Sequence, residues 1–275
     1  MNYKRVLTVQ DISCVGQCSL TVALPILSAC GLETAILPSA VLSTHTAGFH
    51  GFTFRDLTDD MPAITKHWKA EKIGFDALYT GYLGSSKQVE ICLDIAENLL
   101  RSGAKFIVDP AMADNGKLYP GFDMAFVESM KKLVSKADIV VPNITEACFL
   151  TGTEYKENYD KTYIVSLCKA LKALGAKKVV LTGVGYEEGR TGVVVYGTKY
   201  EYYEHEKMAQ GRHGTGDVYA SAFTGALMAG KKVFDAAKIA AEYTLSCIKH
   251  SQKGANFYGV KFEPEIPLLI DLINK

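Results

Sequence analysis

Short runs of β-branched and aliphatic residues alternate along the chain with longer stretches in which apolar residues recur at the helical period. Turn residues bound the short runs, as they bound strands. The predicted strands are 5–9, 34–37, 77–79, 106–108, 139–141 and 179–181. The predicted helices between them are 19–30, 61–71, 85–102, 122–136 and 163–174. This succession of βα units predicts an α/β fold, with a central, mostly parallel sheet and helices on both faces.

The pattern changes in the last third of the chain. Residues 192–196 and 199–203, joined by Gly197 and Thr198, predict a small antiparallel hairpin on the edge of the sheet. Helices are predicted over 214–229, 233–250 and 267–273. No Pro/Gly/Ser-rich linker and no internal repeat interrupts the sequence, so we expect a single domain over 1–275.

One segment is too rich in glycine and aromatic residues for a core strand. It covers 41–55 and contains Ser43-Thr44-His45-Thr46 followed by Ala47-Gly48-Phe49-His50-Gly51-Phe52. The composition fits either a flap over a pocket or an ordinary surface loop.

Composition narrows the class of partner. Thirty basic and thirty acidic residues give a net charge of zero without a basic block, so neither a nucleic acid nor an anionic membrane surface is expected as a partner. No signal peptide or run of about 18 apolar residues is present, which predicts a cytoplasmic protein without a membrane span. The seven scattered cysteines contain no Cys-x-x-Cys and are expected to be reduced. A small-molecule ligand fits this composition best.

Polar residues follow five of the predicted strands. They are Asp11 and Ser13, Thr80-Gly81-Tyr82, Asp109-Pro110, Pro142-Asn143-Ile144-Thr145-Glu146, and Thr182-Gly183. A single polar residue in such a place is usually a turn or a cap. Ligands of open parallel sheets bind at the carboxyl ends of the strands, so we expect these five clusters to line one cleft.

The run Arg212-His213-Gly214-Thr215-Gly216-Asp217 comes directly before a predicted helix of small residues. Unpaired N–H groups and the helix dipole favour an anion at such a start, and the Asp could accept a proton from a substrate hydroxyl. Ordinary helix capping by Asp217 is the simpler alternative. Neither a P-loop nor a dinucleotide-binding Gly-x-Gly-x-x-Gly is present in the required context.

Three motifs stand in order along most of the chain. They are Asp109-Pro110-Ala111-Met112-Ala113-Asp114, the stretch from Pro142-Asn143 through Glu146-Ala147 to Leu150-Thr151-Gly152, and Gly214-Thr215-Gly216-Asp217. Together they resemble the ribokinase-like superfamily. Gln10-Asp11-Ile12-Ser13, Ser43-Thr44-His45-Thr46 and Thr80-Gly81-Tyr82-Leu83-Gly84-Ser85 are similar to pyridoxal kinases rather than to sugar kinases. The resemblance implies a ribokinase-like fold and ATP-dependent phosphorylation of the 5′-hydroxymethyl group of pyridoxal, pyridoxine or pyridoxamine.

The resemblance also implies roles for individual residues. Asp217 would take the hydroxyl proton, while Gly214, Thr215 and Gly216 would form the anion hole for the phosphoryl group. Asp109 would contact ATP together with Asn143 and Thr182, and Asp114 and Glu146 would arrange Mg²⁺ directly or through water. Ser13 and Thr46 would hold the polar groups of the pyridine ring, with Tyr82 against its face. A homodimer is implied, and whether K⁺ is needed stays open.

Two alternatives remain at the level of the sequence. Arg212 and His213 before the glycines also resemble hydroxymethylpyrimidine kinases, which carry Cys where this chain has Asp217. A kinase of that substrate, or a kinase that uses both substrates, is therefore the second hypothesis. The third is a vitamer-binding protein without catalysis, which the presence of Asp217 and the glycines disfavours.

Overall fold

The computed structural model describes residues 3–46, 48–208, 212–252 and 258–275. Its strands are β1 Arg5–Val15, β2 Glu33–Thr44, β3 Phe54–Asp56, β4 Phe75–Thr80, β5 Leu100–Val108, β6 Ala113–Asp114, β7 Lys117–Leu118, β8 Ile139–Val140, β9 Lys178–Thr182, β10 Arg190–Tyr196 and β11 Tyr200–Glu206. Nine of these form one sheet in the order β11-β10-β9-β8-β5-β4-β1-β2-β3, and β6 pairs with β7.

The helices are α1 Leu20–Ala29, α2 Met61–Ala70, α3 Ser86–Asn98, α4 Met124–Val134, α5 Ile144–Thr151, α6 Lys161–Ala173, α7 Thr215–Met228, α8 Val233–Ser251 and α9 Ile266–Asn274, with a 3₁₀ turn at Glu263–Glu265. They cover both faces of the sheet. Buried residues of α2 to α6 belong to one hydrophobic cluster, and those of α1, α7, α8 and α9 belong to a second. The predicted α/β architecture is confirmed.

The sheet divides its side chains between the two clusters by strand alternation. In β5, Phe106 and Val108 belong to the cluster under α2 to α6, and Ile107 between them belongs to the cluster under α1 and α7. Successive side chains of a strand point to opposite faces, so a strand covered on both sides must be apolar at every position. This explains why the central strands read as unbroken hydrophobic runs.

Six neighbouring strands, from β9 through β8, β5, β4 and β1 to β2, pair in parallel. At one edge β10 runs antiparallel to β9 and forms a hairpin with β11, as predicted. At the other edge β3 runs antiparallel to β2. The segment 41–55 therefore contains the end of β2, a connecting loop and the start of β3, which together form a second hairpin. These two strands were not predicted within the segment. Ala47, within that segment, lies outside the described residues.

Several boundaries differ from the predictions. β1 continues to Val15 because it pairs with β2 as far as Thr44, across an irregularity between Gln10 and Ile12. The helix predicted over 85–102 ends at Asn98, and β5 begins at Leu100. The ends of these strands and helices depend on which strands pair with one another. Hydrophobic periodicity along the sequence does not show that pairing. The single-domain prediction stays a prediction. In the part of the chain that the structure describes, no helix has both the length and the apolar character needed to cross a membrane.

Candidate active site

The carboxyl ends of the parallel strands meet at one rim of the sheet. The Asp109 N–H donates to the Thr80 carbonyl, and the Thr182 N–H donates to the Pro142 carbonyl, both at 2.9 Å. These bonds tie together the segments that leave β4, β5, β8 and β9. The strand-end segments after β4, β5, β8 and β9 therefore lie next to one another along the rim, and the prediction that all five clusters line one cleft stays a prediction.

Gly214 caps the N-terminus of α7 in the left-handed conformation, at φ 77°. A Cβ atom there would lie 1.9 Å from the Gln17 carbonyl oxygen, so no side chain fits. The Thr215 hydroxyl donates to the Arg212 carbonyl at 2.7 Å and steadies the turn. Gly216 has open space where its Cβ would be. The first amides of a helix have no intrahelical acceptor, so the N–H groups of Gly216 and Asp217 are available to an anion beside the open space at Gly216.

Asp217 stands in the first turn of α7 and is partly buried. Burial raises the pKa of its carboxyl to about 7, the negative charge of Asp11 adds to the rise, and a hydrogen bond from the Ser19 backbone N–H opposes it. A carboxyl with a pKa near 7 can accept a proton near neutral pH and release it again. This is the property expected of a general base, and ordinary helix capping does not require it.

Asp109 and Glu146 form a buried acidic wall on the other side of the rim. Burial, followed by the charges of Glu146 and Asp217, raises the pKa of Asp109 well above its usual range. Burial raises the pKa of Glu146 to about 8, although backbone N–H groups donate to it. Its oxygens accept from the Met112 N–H at 3.2 Å and the Asn143 N–H at 2.8 Å. Buried carboxylates that repel one another are stabilised by a cation.

The donor set fits Mg²⁺ in the manner typical of nucleotide sites. Mg²⁺ usually takes one or two protein carboxylates and completes its shell with phosphates and water. Among the described residues no three His, Cys, Asp or Glu side chains form a ready-made metal cage. Asp114 is exposed and accepts hydrogen bonds from Asn115, whereas Asp109 and Glu146 are buried. The buried pair fits a cation better than Asp114 does.

Asn143 and Thr182 mainly hold the rim together. The Asn143 Oδ1 accepts from the Glu146 N–H at 2.8 Å, and its Nδ2 donates to the Ala113 carbonyl at 2.8 Å. The first of these bonds forms a capping box at the start of α5, and the second attaches β6. The Thr182 hydroxyl donates to the Pro142 carbonyl at 3.3 Å. Their predicted contacts with ATP stay predictions.

Of the residues predicted to bind substrate, Ser13 lies in β1 and Tyr82 follows β4. The buried Ser13 hydroxyl donates to Asp11 Oδ2 at 3.1 Å. Tyr82 packs on Phe122 with 5.4 Å between ring centroids, and burial together with the charge of Asp11 raises the pKa of its phenol. Ser13 thus contacts Asp11 directly, whereas Tyr82 feels the charge of Asp11 without a hydrogen bond to it.

Thr46 is exposed, and the neighbouring His45 is the buried residue at the end of β2. Its Nε2 lies 2.9 Å from the Tyr258 carbonyl oxygen, and its ring packs edge-on against Phe49 at 4.9 Å. The His213 ring lies 5.8 Å away. The hairpin of β2 and β3 therefore packs against the segments before α7 and after α8.

Sequence reasoning assigned no role to Asp11, Ser19 or His45. Asp11 stands among the strand-end residues, so its position was visible, but nothing in the sequence places it near Asp217. Ser19 was predicted only as the start of a helix. His45 lies in a quoted motif, but the structure is needed to show that it is buried and that Thr46 is not.

The chain is similar in sequence and in structure to known proteins. A sequence model of the phosphomethylpyrimidine kinase family matches residues 27–260. The chain is 32% identical to pyridoxine kinase from Bacillus subtilis (strain 168) over 186 residues, which cover 65% of this chain and 66% of that protein.

Two solved structures share the fold along nearly the whole chain. One, from Bacteroides thetaiotaomicron VPI-5482, is assigned as a phosphomethylpyrimidine kinase and was crystallised with pyridoxal. It is 35% identical, with a TM-score of 0.91 and coverage of 98% of this chain and 96% of that chain. Pyridoxal kinase from Lactobacillus plantarum is 29% identical, with a TM-score of 0.90 and coverage of 98% and 97%.

Proposed function

The chain belongs to the phosphomethylpyrimidine kinase family and to the pyridoxal kinases among ribokinase-like proteins, and from this premise we propose that it phosphorylates a vitamin B6 vitamer with ATP. The substrate group is the 5′-hydroxymethyl of pyridoxal, pyridoxine or pyridoxamine. The observation that carries the proposal is the position of Asp217, whose pKa is raised to about 7, in the first turn of α7 beside the open space at Gly216. The relative from Bacteroides that was crystallised with pyridoxal supports this choice of substrate.

The proposed step is an in-line phosphoryl transfer. The hydroxyl proton of the substrate passes to the Asp217 carboxylate as the alcohol oxygen forms a bond to the γ-phosphorus of ATP. The bond from that phosphorus to the β–γ bridging oxygen breaks, and ADP leaves with that oxygen. Backbone N–H groups at Gly216 and Asp217 face the developing negative charge, where preorganised donors lower the barrier most.

Asp109 and Glu146 are the residues that would hold Mg²⁺, with Asp114 at the exposed margin. The ion, when bound, would neutralise charge on the phosphates of ATP. The buried pair, with its raised pKa values, disfavours a second negative charge unless a cation accompanies it. Asn143 and Thr182 support the same wall and are proposed to line the nucleotide subsite.

Substitution of Asp217 by Asn tests the proposal. The amide keeps the size of the side chain and removes the base, so kcat for ADP release with pyridoxal, Mg²⁺ and K⁺ should fall by about 10²–10⁴ with little change in KM. The matched control is Asp271→Asn on the exposed surface of α9, which should leave kcat unchanged. Near-normal turnover by the Asp217 variant would contradict the role of Asp217. No turnover of any B6 vitamer by the unchanged protein would contradict the substrate class.

A kinase of 4-amino-5-hydroxymethyl-2-methylpyrimidine is the second candidate. Both substrates are nitrogen heterocycles that carry a hydroxymethyl arm, and the matching family model is named for phosphomethylpyrimidine kinases. The ratio of kcat/KM for pyridoxal and for the pyrimidine, measured on one preparation, separates these activities. Binding of pyridoxal without any ADP formation would instead support a vitamer-binding protein.

We also propose a homodimer and leave open a requirement for K⁺. The family resemblance supports a homodimer, which light scattering after size-exclusion chromatography would detect as twice the 30.0 kDa of one chain. A requirement for K⁺ would appear as a loss of ADP release when K⁺ is replaced by a bulky organic cation.

A further inference from the structure

The connection from β9 to β10 begins with a loop of four residues, Gly183 to Tyr186, named here the loop 183–186. It directly follows Thr182, whose N–H donates to the Pro142 carbonyl and which pairs with Asn143. Gly183 is exposed and has a left-handed φ of 74°, and a Cβ atom there would meet nothing within 4 Å. The loop therefore continues from the residues that are proposed to line the nucleotide subsite.

The hydroxyl of Tyr159 bonds to two backbone groups of this loop. It accepts a hydrogen bond from the Gly185 N–H at 3.1 Å and donates to the Gly183 carbonyl at 3.4 Å. A phenol oxygen carries one proton and also accepts, so it can make both bonds at once. Tyr159 therefore links the two glycines that stand on either side of Val184.

Val184 itself is attached to the hairpin of β10 and β11. Its N–H donates to the Gly192 carbonyl at 3.1 Å, and its carbonyl accepts from the Tyr202 hydroxyl at 3.2 Å. The Tyr202 hydroxyl also lies 3.3 Å from Glu204 Oε2, so its single proton is shared between two acceptors. The loop is thus bonded both to the segment before α6 and to the edge hairpin, and the bond from Tyr202 is the weaker of the two attachments by tyrosine.

The rings of these tyrosines are held by other aromatic rings. Tyr159 precedes Asp160, the N-cap of α6, whose side chain accepts from the Tyr163 N–H at 2.9 Å. The Tyr159 ring stacks on Tyr163, with 5.9 Å between centroids, and meets the Tyr186 ring edge-on at 6.4 Å. The Tyr202 ring meets Tyr186 edge-on at 5.1 Å. Aromatic packing of this kind does not need the hydroxyls, so a phenylalanine at either position should keep the ring in place.

A loop with two glycines has much conformational freedom to lose. Glycine loses more backbone entropy on ordering than any other residue, and a ligand that had to order such a loop would bind more weakly by that cost. Close packing restricts the loop at one point, since a Cβ atom at Gly185 would lie 2.2 Å from the Arg190 carbonyl oxygen. The tyrosine hydroxyls restrict it at two further points before any ligand arrives.

We propose that Tyr159, supported by Tyr202, is a positioning residue for ATP: its hydroxyl holds the loop 183–186 in the conformation that receives the nucleotide. The inference rests on the proposed function, in which Thr182 lines the nucleotide subsite. Neither tyrosine touches the reacting atoms in this scheme. Loss of a hydroxyl should therefore weaken nucleotide binding and leave phosphoryl transfer and binding of the B6 vitamer unchanged.

Tyr159→Phe removes the hydroxyl and keeps the ring. We expect the dissociation constant of ADP with Mg²⁺, measured by isothermal titration calorimetry, and KM for ATP to rise by about threefold to tenfold, as the loss of one hydrogen bond implies. The values of kcat and of KM for pyridoxal should stay within about twofold. Tyr202→Phe should act in the same direction and more weakly. The matched control is Tyr163→Phe, which loses a hydroxyl of the same aromatic cluster that donates to the Glu154 carbonyl instead, and it should bind ADP as the unchanged protein does.

Equal affinity of Tyr159→Phe and Tyr163→Phe for ADP would overturn the inference. A Tyr159→Phe variant whose KM for pyridoxal rises as much as its KM for ATP would overturn it too. If thermal unfolding shows that the variant does not fold, hydrogen exchange of the Gly185 amide in the unchanged protein decides. ADP should slow this exchange, and an exchange rate that ADP leaves unchanged would contradict the inference.

The same measurements separate this inference from the proposed function. Failure of the unchanged protein to bind ADP would contradict both. The expected pattern of ADP binding in a protein that phosphorylates no B6 vitamer would contradict only the proposed substrate and would support the role of Tyr159.

Discussion

At the residue scale, Gly214 and Gly216 have different reasons to be glycine. Gly214 needs the left-handed backbone and a close approach to Gln17, while Gly216 has neither constraint. Gly214→Ala should therefore lower the free energy of unfolding by about 1–3 kcal/mol and reduce kcat by about tenfold or more, because the turn must move. Gly216→Ala is the matched control. The Gly216→Ala variant should keep nearly the same melting temperature. Any loss of activity would then come from the added methyl group, which fills the open space beside Gly216. Similar melting temperatures for both variants would contradict this division of roles.

Some residues of the candidate site could be predicted from the sequence, and others could not. Asp217, Glu146 and Asp109 could be identified from motifs and strand ends, because helix starts and strand ends have recognisable residue types. The bonds of Tyr159 to the loop 183–186 and the burial of His45 in place of Thr46 could not be identified. They depend on contacts between segments far apart in the sequence, such as the one between His45 and Tyr258.

At the scale of elements, α5 links the candidate metal site to the sheet. The motif was interpreted as a strand-end cluster and as part of the family resemblance, with no helix predicted there, although its Asn143 and Glu146 form the capping box that starts this helix. Eight residues are too few for hydrophobic periodicity to reveal a helix reliably. By contrast, the longer helices and buried strands were predictable, since their patterns extend over several turns or whole strands.

Substitutions at Asn143 distinguish the effect of its capping bond to α5 from the effect of its bond to β6. Asn143→Ala removes both side-chain bonds and should lower the free energy of unfolding by about 1–2 kcal/mol. Asn143→Ser keeps an acceptor for the Glu146 N–H and loses only the bond to the Ala113 carbonyl, so its stability should recover in part. The KM for ATP should rise in both variants if attachment of β6 shapes the nucleotide wall. An unchanged KM in the serine variant would show that this attachment does not matter for the nucleotide.

At the scale of the whole molecule, the cleft places carboxylates in an environment that opposes their ionisation. The pKa values of Asp11, Asp109, Glu146 and Asp217 are all raised, with burial as the largest cause in each case. A carboxyl whose pKa is higher in the folded than in the unfolded protein favours folding at low pH. That contribution disappears as the pH rises from the unfolded value towards the folded one. The candidate site therefore costs the fold stability at neutral and higher pH, which is common for functional sites.

Asp217→Asn should reveal this cost, because the amide cannot ionise. The pKa of Asp217 is about 7 in the folded protein and 3.8 for an ordinary aspartate, so the unchanged protein loses stability between about pH 4 and pH 7. The variant lacks this loss, and above pH 7 it should be the more stable of the two by up to about 4 kcal/mol. Urea unfolding of both proteins at pH 5, 6, 7 and 8 measures the difference, which should grow with pH and then level off. The exposed Asp271→Asn variant should show a constant difference near zero. A variant that is less stable than the unchanged protein at pH 8 would mean that the Ser19 amide stabilises the Asp217 carboxylate by more than burial destabilises it.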